Sequence, residues 1–552
     1  MTYIKVVMKP ILSVPVVLAL LGAGPAFGQD HVHPAGEKLG TVHFATSCAA
    51  AAQPSFDRAV SLLHSFEFGV AITAFDAALK ADPACAMTQW GVALSRWGNP
   101  FTVGTRAAAQ LKNGLAAVER ARAIGAKTDR ERAYIDAVAN LYADAEQRPQ
   151  RARVEAYRDA MAQLTRRFPD DNEAPIFYAL SLTAAEDIND KTYASRLQAV
   201  AILEPMFAKQ PNHPGLAHYI IHSYDVPALA PRALGAAKRY ADIAPSAPHA
   251  LHMPSHTFTR VGLWQQSIDT NIASAAAAKA QKVIGEELHA SDYQMYAYLQ
   301  TAQDSAAKRL LEAVPEISSR FDPAAVGGAA PPAAAFYAMA AIPARWALER
   351  GAWADAAKLE ARSSPLPYVD ALTAFARAVG AARSGDVAKA RTAVAEIEAL
   401  RARQAEANEP YWTQQIDIQR RAAAAWVAFA EGRTPEALAE LRAAADAEDK
   451  TEKAAVTPGP LAPAREQLGD MLLQTKDARG ALKEFEATLA KEPNRFRALY
   501  GAARAAAAAG SATTAQRYYK DLTTMCPLGD AGRPELQEAR AALGRTGAAP
   551  LR

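Results

Sequence analysis

Thiols are scarce in this chain of 552 residues, which has three cysteines, Cys48, Cys85 and Cys526, and no Cys-x-x-Cys. That excludes a thiolate zinc site and a dithiol redox motif. Beyond residue 28 there is no apolar run of about 20 residues, so no helix of the mature chain is expected to insert stably in a membrane. Net charge is only +3 and no basic stripe interleaves with aromatics, which removes nucleic acid from the expected partners. No segment alternates apolar and polar residues over a strand's length, and alanine is abundant, so helix is the expected element. At 22% charged and 50% hydrophobic residues, the chain has ample material for a core.

Residues 1–28 read as a secretory leader. Lys5 and Lys9 form its positive end, Ile11 to Ala23 its apolar run, and Ala26-Phe27-Gly28 a small-x-small cleavage site. A cut after Gly28 sends the protein to the periplasm or outside the cell. No cysteine follows the cut, so no lipid anchor is expected. In an oxidising compartment Cys48–Cys85 is a reasonable disulfide, and Cys526 is then a leftover buried thiol. The new terminus, Gln29-Asp30-His31, carries the amine and third-position histidine that can chelate copper(II), although such termini are commonly unstructured.

Histidine is where the information lies. His218 and His222 are spaced i, i+4, and so are His252 and His256; the second pair follows the first by 34 residues. On a helix that spacing puts both imidazoles on one face. Four imidazoles from adjacent helices are expected to converge as a metal cage, with His249 and His289 close enough in sequence to join them. Neutral imidazole suits zinc, copper or iron rather than calcium or magnesium. His218 to His222 has the spacing of a zinc-peptidase motif, but Tyr219 stands where the general base is needed, so that reading fails. Pro254 lies between His252 and His256. Proline suits only a helix's first turn, so that helix is expected to begin near Ala250 or Leu251, with His249 at the cap.

The period of 34 residues recurs elsewhere. Leu468-Gly469, Leu472, Ala481, Phe485 and Pro493 form one unit, and Ala515, Tyr519 and Pro527 follow in the next. Leu62, Ala71, Phe75, Ala78 and Pro83 fit the same frame near the start. Worn copies are read at 341–360, with Gly351 at the turn, and at 374–400, with Gly385 at the turn. The pattern resembles the tetratricopeptide repeat superfamily. It implies an all-α, right-handed superhelical solenoid of helix–turn–helix units, each needing neighbours to bury its apolar face. The segment His249-Ala250-Leu251-His252-Met253-Pro254-Ser255-His256 is similar to one in exported bacterial members of that superfamily. The resemblance places ligand contacts at the second, fifth, ninth, twelfth and thirteenth residues of a unit. With units starting at Pro214 and Pro248, those places hold His249, then His218 and His252, then His222 and His256, then Asp225 and Thr259, then Arg260.

The expected organisation is a leader (1–28), an extended segment (29–54), a histidine-bearing repeat array (55–320), a Pro/Gly-rich loop (321–335), a second array (336–543) and a tail (544–552). The prolines at 323–332 and 457–463 either divide the array or fold over its groove. Two functions stay open. One is a scaffold that holds a protein, peptide or small ligand in its concave groove, with a histidine-bound transition metal near the middle. The other is a metal-dependent hydrolase or oxidase in the same groove. There Asp225 or Asp292 would be the base or the partner of a ligand, and Arg260 would hold an anionic substrate. His64 is a further groove candidate, though a lone histidine is more often structural. Oligomeric state is not legible.

Overall fold

The computed structural model describes residues 36–547, apart from Val326, Arg362 and Asn408. The leader, the Gln29-Asp30-His31 terminus and residues 548–552 lie outside the described residues. The described chain is helical without a strand, and its helices pack as hairpins of sequence neighbours. No helix among the described residues is long and apolar enough to cross a membrane.

The repeat chemistry is visible in the packing. Helices Ala464–Gln474 and Ala478–Lys491 close together because Gly469 leaves room for Phe485, whose ring would lie 2.9 Å from a Cβ there. Gly91 does the same for Phe75, at 2.2 Å. Small residues at the close approach and rings in the gap are what the period requires. The worn unit at 341–360 has kept its first helix, Pro332–Glu349, but its second is a single turn, Trp353–Ala356. The last helix, Pro534–Gly547, runs past the expected array end at 543.

The Pro/Gly loop does not break the array, since helix Ile284–Gln300 packs directly against Pro332–Glu349 across it. Nor does the array stay open. Trp264 donates its indole N–H to the Asn494 carbonyl at 2.7 Å, and Gly262, at φ +70°, lets Pro493 approach so closely that a Cβ would sit 2.3 Å from its carbonyl oxygen. On the other side Glu452 takes Lys191 and Tyr193, both at 2.9 Å. The C-terminal helices thus pack back against the histidine repeats, and the concave groove there becomes an interior.

Cys48 and Cys85 form a disulfide that ties the N-terminal segment to the turn before helix Ala86–Trp97. Cys526 is buried, and burial pushes its thiol up to about 12. A thiol reagent should therefore find no reactive cysteine in the native protein, one after unfolding in guanidinium, and three after unfolding with reductant. Fast native labelling, or three thiols without reductant, would contradict this arrangement.

Candidate metal centre

The site begins with the end of helix Gln53–His64. The chain leaves it through Phe66, at φ +58°, with Glu67 N–H on the Leu62 carbonyl and Phe66 N–H on the Leu63 carbonyl, both at 3.0 Å. This is the C-terminal turn that glycine usually serves. A phenylalanine holds the left-handed conformation here at a cost of about 1–2 kcal/mol. Its ring is the return: it lies 4.3 Å from that of His218 and stacks near those of His222 and His249.

Helix Pro214–Ser223 crosses the first helix at Gly215, where a Cβ would stand 2.4 Å from the His64 ring. That approach brings His218 Nδ1 to 2.6 Å from the His64 carbonyl, so Nδ1–H donates and Nε2 keeps its lone pair. His249 Nδ1–H donates to Glu286 at 2.8 Å, leaving Nε2 in the same state. Among the described residues, the Nε2 atoms of His218, His222 and His249 are all buried without a partner.

The second repeat departs from expectation at its start. Its helix begins at Pro248, earlier than Ala250, so His249 lies within the first turn. It is interrupted at Met253 and resumes at Pro254 as Pro254–Arg260. Proline lacks the N–H that would continue the ladder. His252 Nδ1–H donates to Asn271 Oδ1 at 2.7 Å, and Asn271 is oriented by its own N–H₂ on the Ser267 carbonyl at 2.6 Å. His256 Nδ1–H donates to Asp225 at 2.9 Å. The two Nε2 atoms then face each other at 3.1 Å, each with a lone pair and no proton between them.

His218, His222, His249, His252, His256 and His289 are all at most 5% exposed. Burial holds His218, His222 and His252 well below the usual imidazole range, and takes His256 to about 4 and His289 to about 3. Neutral imidazole is the form that ligates. The cage expected from His218, His222, His252 and His256 is replaced by two sets of three. Mutually close ligand atoms belong to His218, His222 and His249, and to His252, His256 and His289. Each i, i+4 pair is completed by a histidine from the following repeat, His249 for the first and His289 for the second.

The acidic and basic candidates have other tasks. Asp225 binds His256, Arg260 and Lys453 at 2.9, 2.9 and 3.0 Å. Burial alone would raise its carboxyl, but Lys453 and Arg260 hold it well below the usual range. It positions His256. Arg260 is bound to the Asp225 side chain and carbonyl. Asp292 faces Arg345 at 2.8 Å rather than the histidine beside it in sequence. His64 joins Glu173 and His213 in a third close set, but its nitrogens are taken by Tyr219 and Glu173, and those of His213 by Glu173 and Leu216 N–H. That set is a buttress for the first triad.

Sequence reasoning missed Asn271, Glu286, Phe66 and Lys453. Glu286 stands three residues before His289 and could have been noticed; nothing marks Asn271. It also left open what covers the groove. Thr457 to Pro460 crosses it, held by Arg345 on Thr457 Oγ1 and the Gly459 and Pro460 carbonyls, and by Tyr293 O–H on the Thr457 carbonyl. The Pro/Gly loop closes the other side: Asn99 donates to the Ala329 carbonyl and Ala330 N–H to Glu286. A cleft lined by Arg106, Glu186, Tyr193, Arg196 and Lys453 leads inward to His222 and Asp225.

No family model and no curated protein sequence matches the chain. Among solved structures it is similar to Naa15/Naa10 bound to HypK-THB, at 11% identity and TM-score 0.26, over 90% of this chain and 91% of that one. It is similar to the APC/C hetero-tetramer Cut9–Hcn1, at 11% and 0.32, over 90% and 89%. It is also similar to yeast Tom70, at 9% and 0.27, over 89% of each. At these scores the likeness says nothing of this chain's chemistry. By its own packing, the described chain is an all-α array of helical hairpins, and its 34-residue register resembles that of tetratricopeptide repeats.

Proposed function

We propose that this chain is an exported, metal-dependent enzyme that acts on a small molecule at its buried histidines. One observation carries the reading. Four imidazoles donate Nδ1–H outward, to His64, Glu286, Asn271 and Asp225, so their Nε2 lone pairs are left inside with no proton donor. Burying such groups unpartnered costs about 1–3 kcal/mol each. A cation removes that cost. Fixing a ligand's far nitrogen to a carboxylate or carbonyl is how metal-binding histidines are oriented.

The cleft to His222 supplies a route for substrate, and the covering segments exclude bulk water, as an enzyme site needs. Zinc would activate water there; copper or iron would bring oxidative chemistry. Export is supported by the leader in the sequence and by the Cys48–Cys85 disulfide.

A second reading, a scaffold for a protein, peptide or small ligand, has one observation in its favour. A second pocket, lined by Tyr368, Phe375, Tyr411 and Trp412 and reaching Arg260 and Trp264, contains Trp412 Nε1, Gln415 Nε2 and Gln419 Oε1, which are unpartnered among the described residues. Over the histidines themselves the groove is occupied by the chain's own segment.

Elemental analysis of the purified mature protein, beside a His222→Ala/His256→Ala variant, tests the proposal. The wild type should carry near-stoichiometric zinc, copper or iron, and the variant should lose most of it. A metal-free wild type that stays metal-free on incubation with each ion, with a normal fold, sinks the metal reading and leaves the scaffold.

A further inference from the structure

We infer that the six histidines bind two metal ions, one in each triad, and that both ions face a single small chamber. This rests on the metal reading above and adds number, grouping and ligand chemistry to it.

The grouping comes from the helices. In each triad, an i, i+4 pair on one repeat's first helix is joined by one histidine from the next repeat. His249 completes His218 and His222; His289 completes His252 and His256. Each ion is therefore clamped between consecutive repeats. Within each triad the ligand atoms lie within 4.8 Å of one another, a spread that side-chain rotation closes to bonds of about 2.1 Å. The six atoms do not form one such set, so a single ion cannot take them all. The facing Nε2 atoms of His252 and His256, 3.1 Å apart, have the separation of two ligands on one ion. In the other triad the three unpartnered Nε2 atoms make the same case independently.

The chamber joins the two. His222 and His249 from one triad, and His256 and His289 from the other, line the same small cavity, closed by Ala330 and Val456. Three imidazoles leave a divalent ion at least one coordination position, and the cavity is where that position opens. Imidazole is neutral, so each ion keeps its full charge. Asp225 and Glu286 stand behind the ligands and do not enter the chamber as donors. The ligand chemistry that fits is an anionic oxygen donor entering the chamber, hydroxide in the simplest case.

Equilibrium dialysis of the metal-stripped mature protein against zinc alone decides the matter. Two ions per chain are expected. His218→Ala/His249→Ala and His252→Ala/His289→Ala should each retain one. Asn271→Leu covers the case in which those variants do not fold. It keeps all six ligands and should weaken only one of two binding phases, by about 10–100-fold. A single ion in the wild type, with a one-phase isotherm, overturns the two-ion inference and leaves the proposed function standing. Zinc, copper and iron all failing to bind removes both.

Discussion

Asp225→Ala is expected to destabilise the protein by about 3–5 kcal/mol, the usual result of removing one partner from a buried ionic group. Among the described residues, Asp225 is the carboxylate that pairs with both Lys453 Nζ and Arg260 Nε, which are nearly fully buried, and it also fixes His256. Its loss leaves two cations side by side away from water. It also frees His256 to change tautomer, which should weaken metal binding by about 10–100-fold. Denaturant unfolding and metal titration of the variant check both effects; wild-type values in either contradict the role assigned to Asp225. The pH dependence has a definite sign. Because the folded carboxyl is held below its unfolded value of about 3.9, its contribution is fully present above that pH and is lost as pH falls through the folded value. The carboxyl's own share of the gap between wild type and variant should therefore close only in strong acid, whereas burial holds Lys453 down to about 8, so the share from its pairing should shrink as pH rises toward that value.

Arg345→Ala should cost a similar amount, about 3–5 kcal/mol, for a second buried pair. Arg345 is fully buried, and Asp292 is 2.8 Å away. It also holds the covering segment through Thr457, Gly459 and Pro460. The variant should unfold at lower denaturant and become sensitive to limited proteolysis between residues 453 and 463, while the helices on either side stay protected. Arg345→Lys should recover little, because an ammonium cannot reach four acceptors in the plane of a guanidinium. A variant that melts normally and keeps the segment protected would show that something else holds it down.

The helical repeats were legible because their cause is local. A glycine or alanine against a ring every 34 residues is written in the chain, and Gly469 with Phe485 packs as that pattern requires. The histidine pairs were legible for the same reason: i, i+4 on a helix fixes a common face whatever lies around it. Pairing of Cys48 with Cys85 was a reasonable expectation from their placement, and the packed chain brings the two together. The ion pairs of Arg260 with Asp225 and of Asp292 with Arg345 span 35 and 53 residues and were not legible, because such pairings depend on how repeats pack against each other.

By itself, then, the sequence determined the helix type, the repeat, and that six histidines would lie close together on successive helices. Which three share a point, which way each ring is turned, and whether the groove is open were decided by tertiary structure alone. The rings are turned by packing between neighbouring repeats: Asn271, Glu286 and Asp225 lie 19, 37 and 31 residues from the imidazoles they hold. The groove is covered through contacts such as Trp264 with Asn494, 230 residues apart. No local pattern encodes such separations, so only the packed chain buries the imidazoles and turns a polar groove into a chamber.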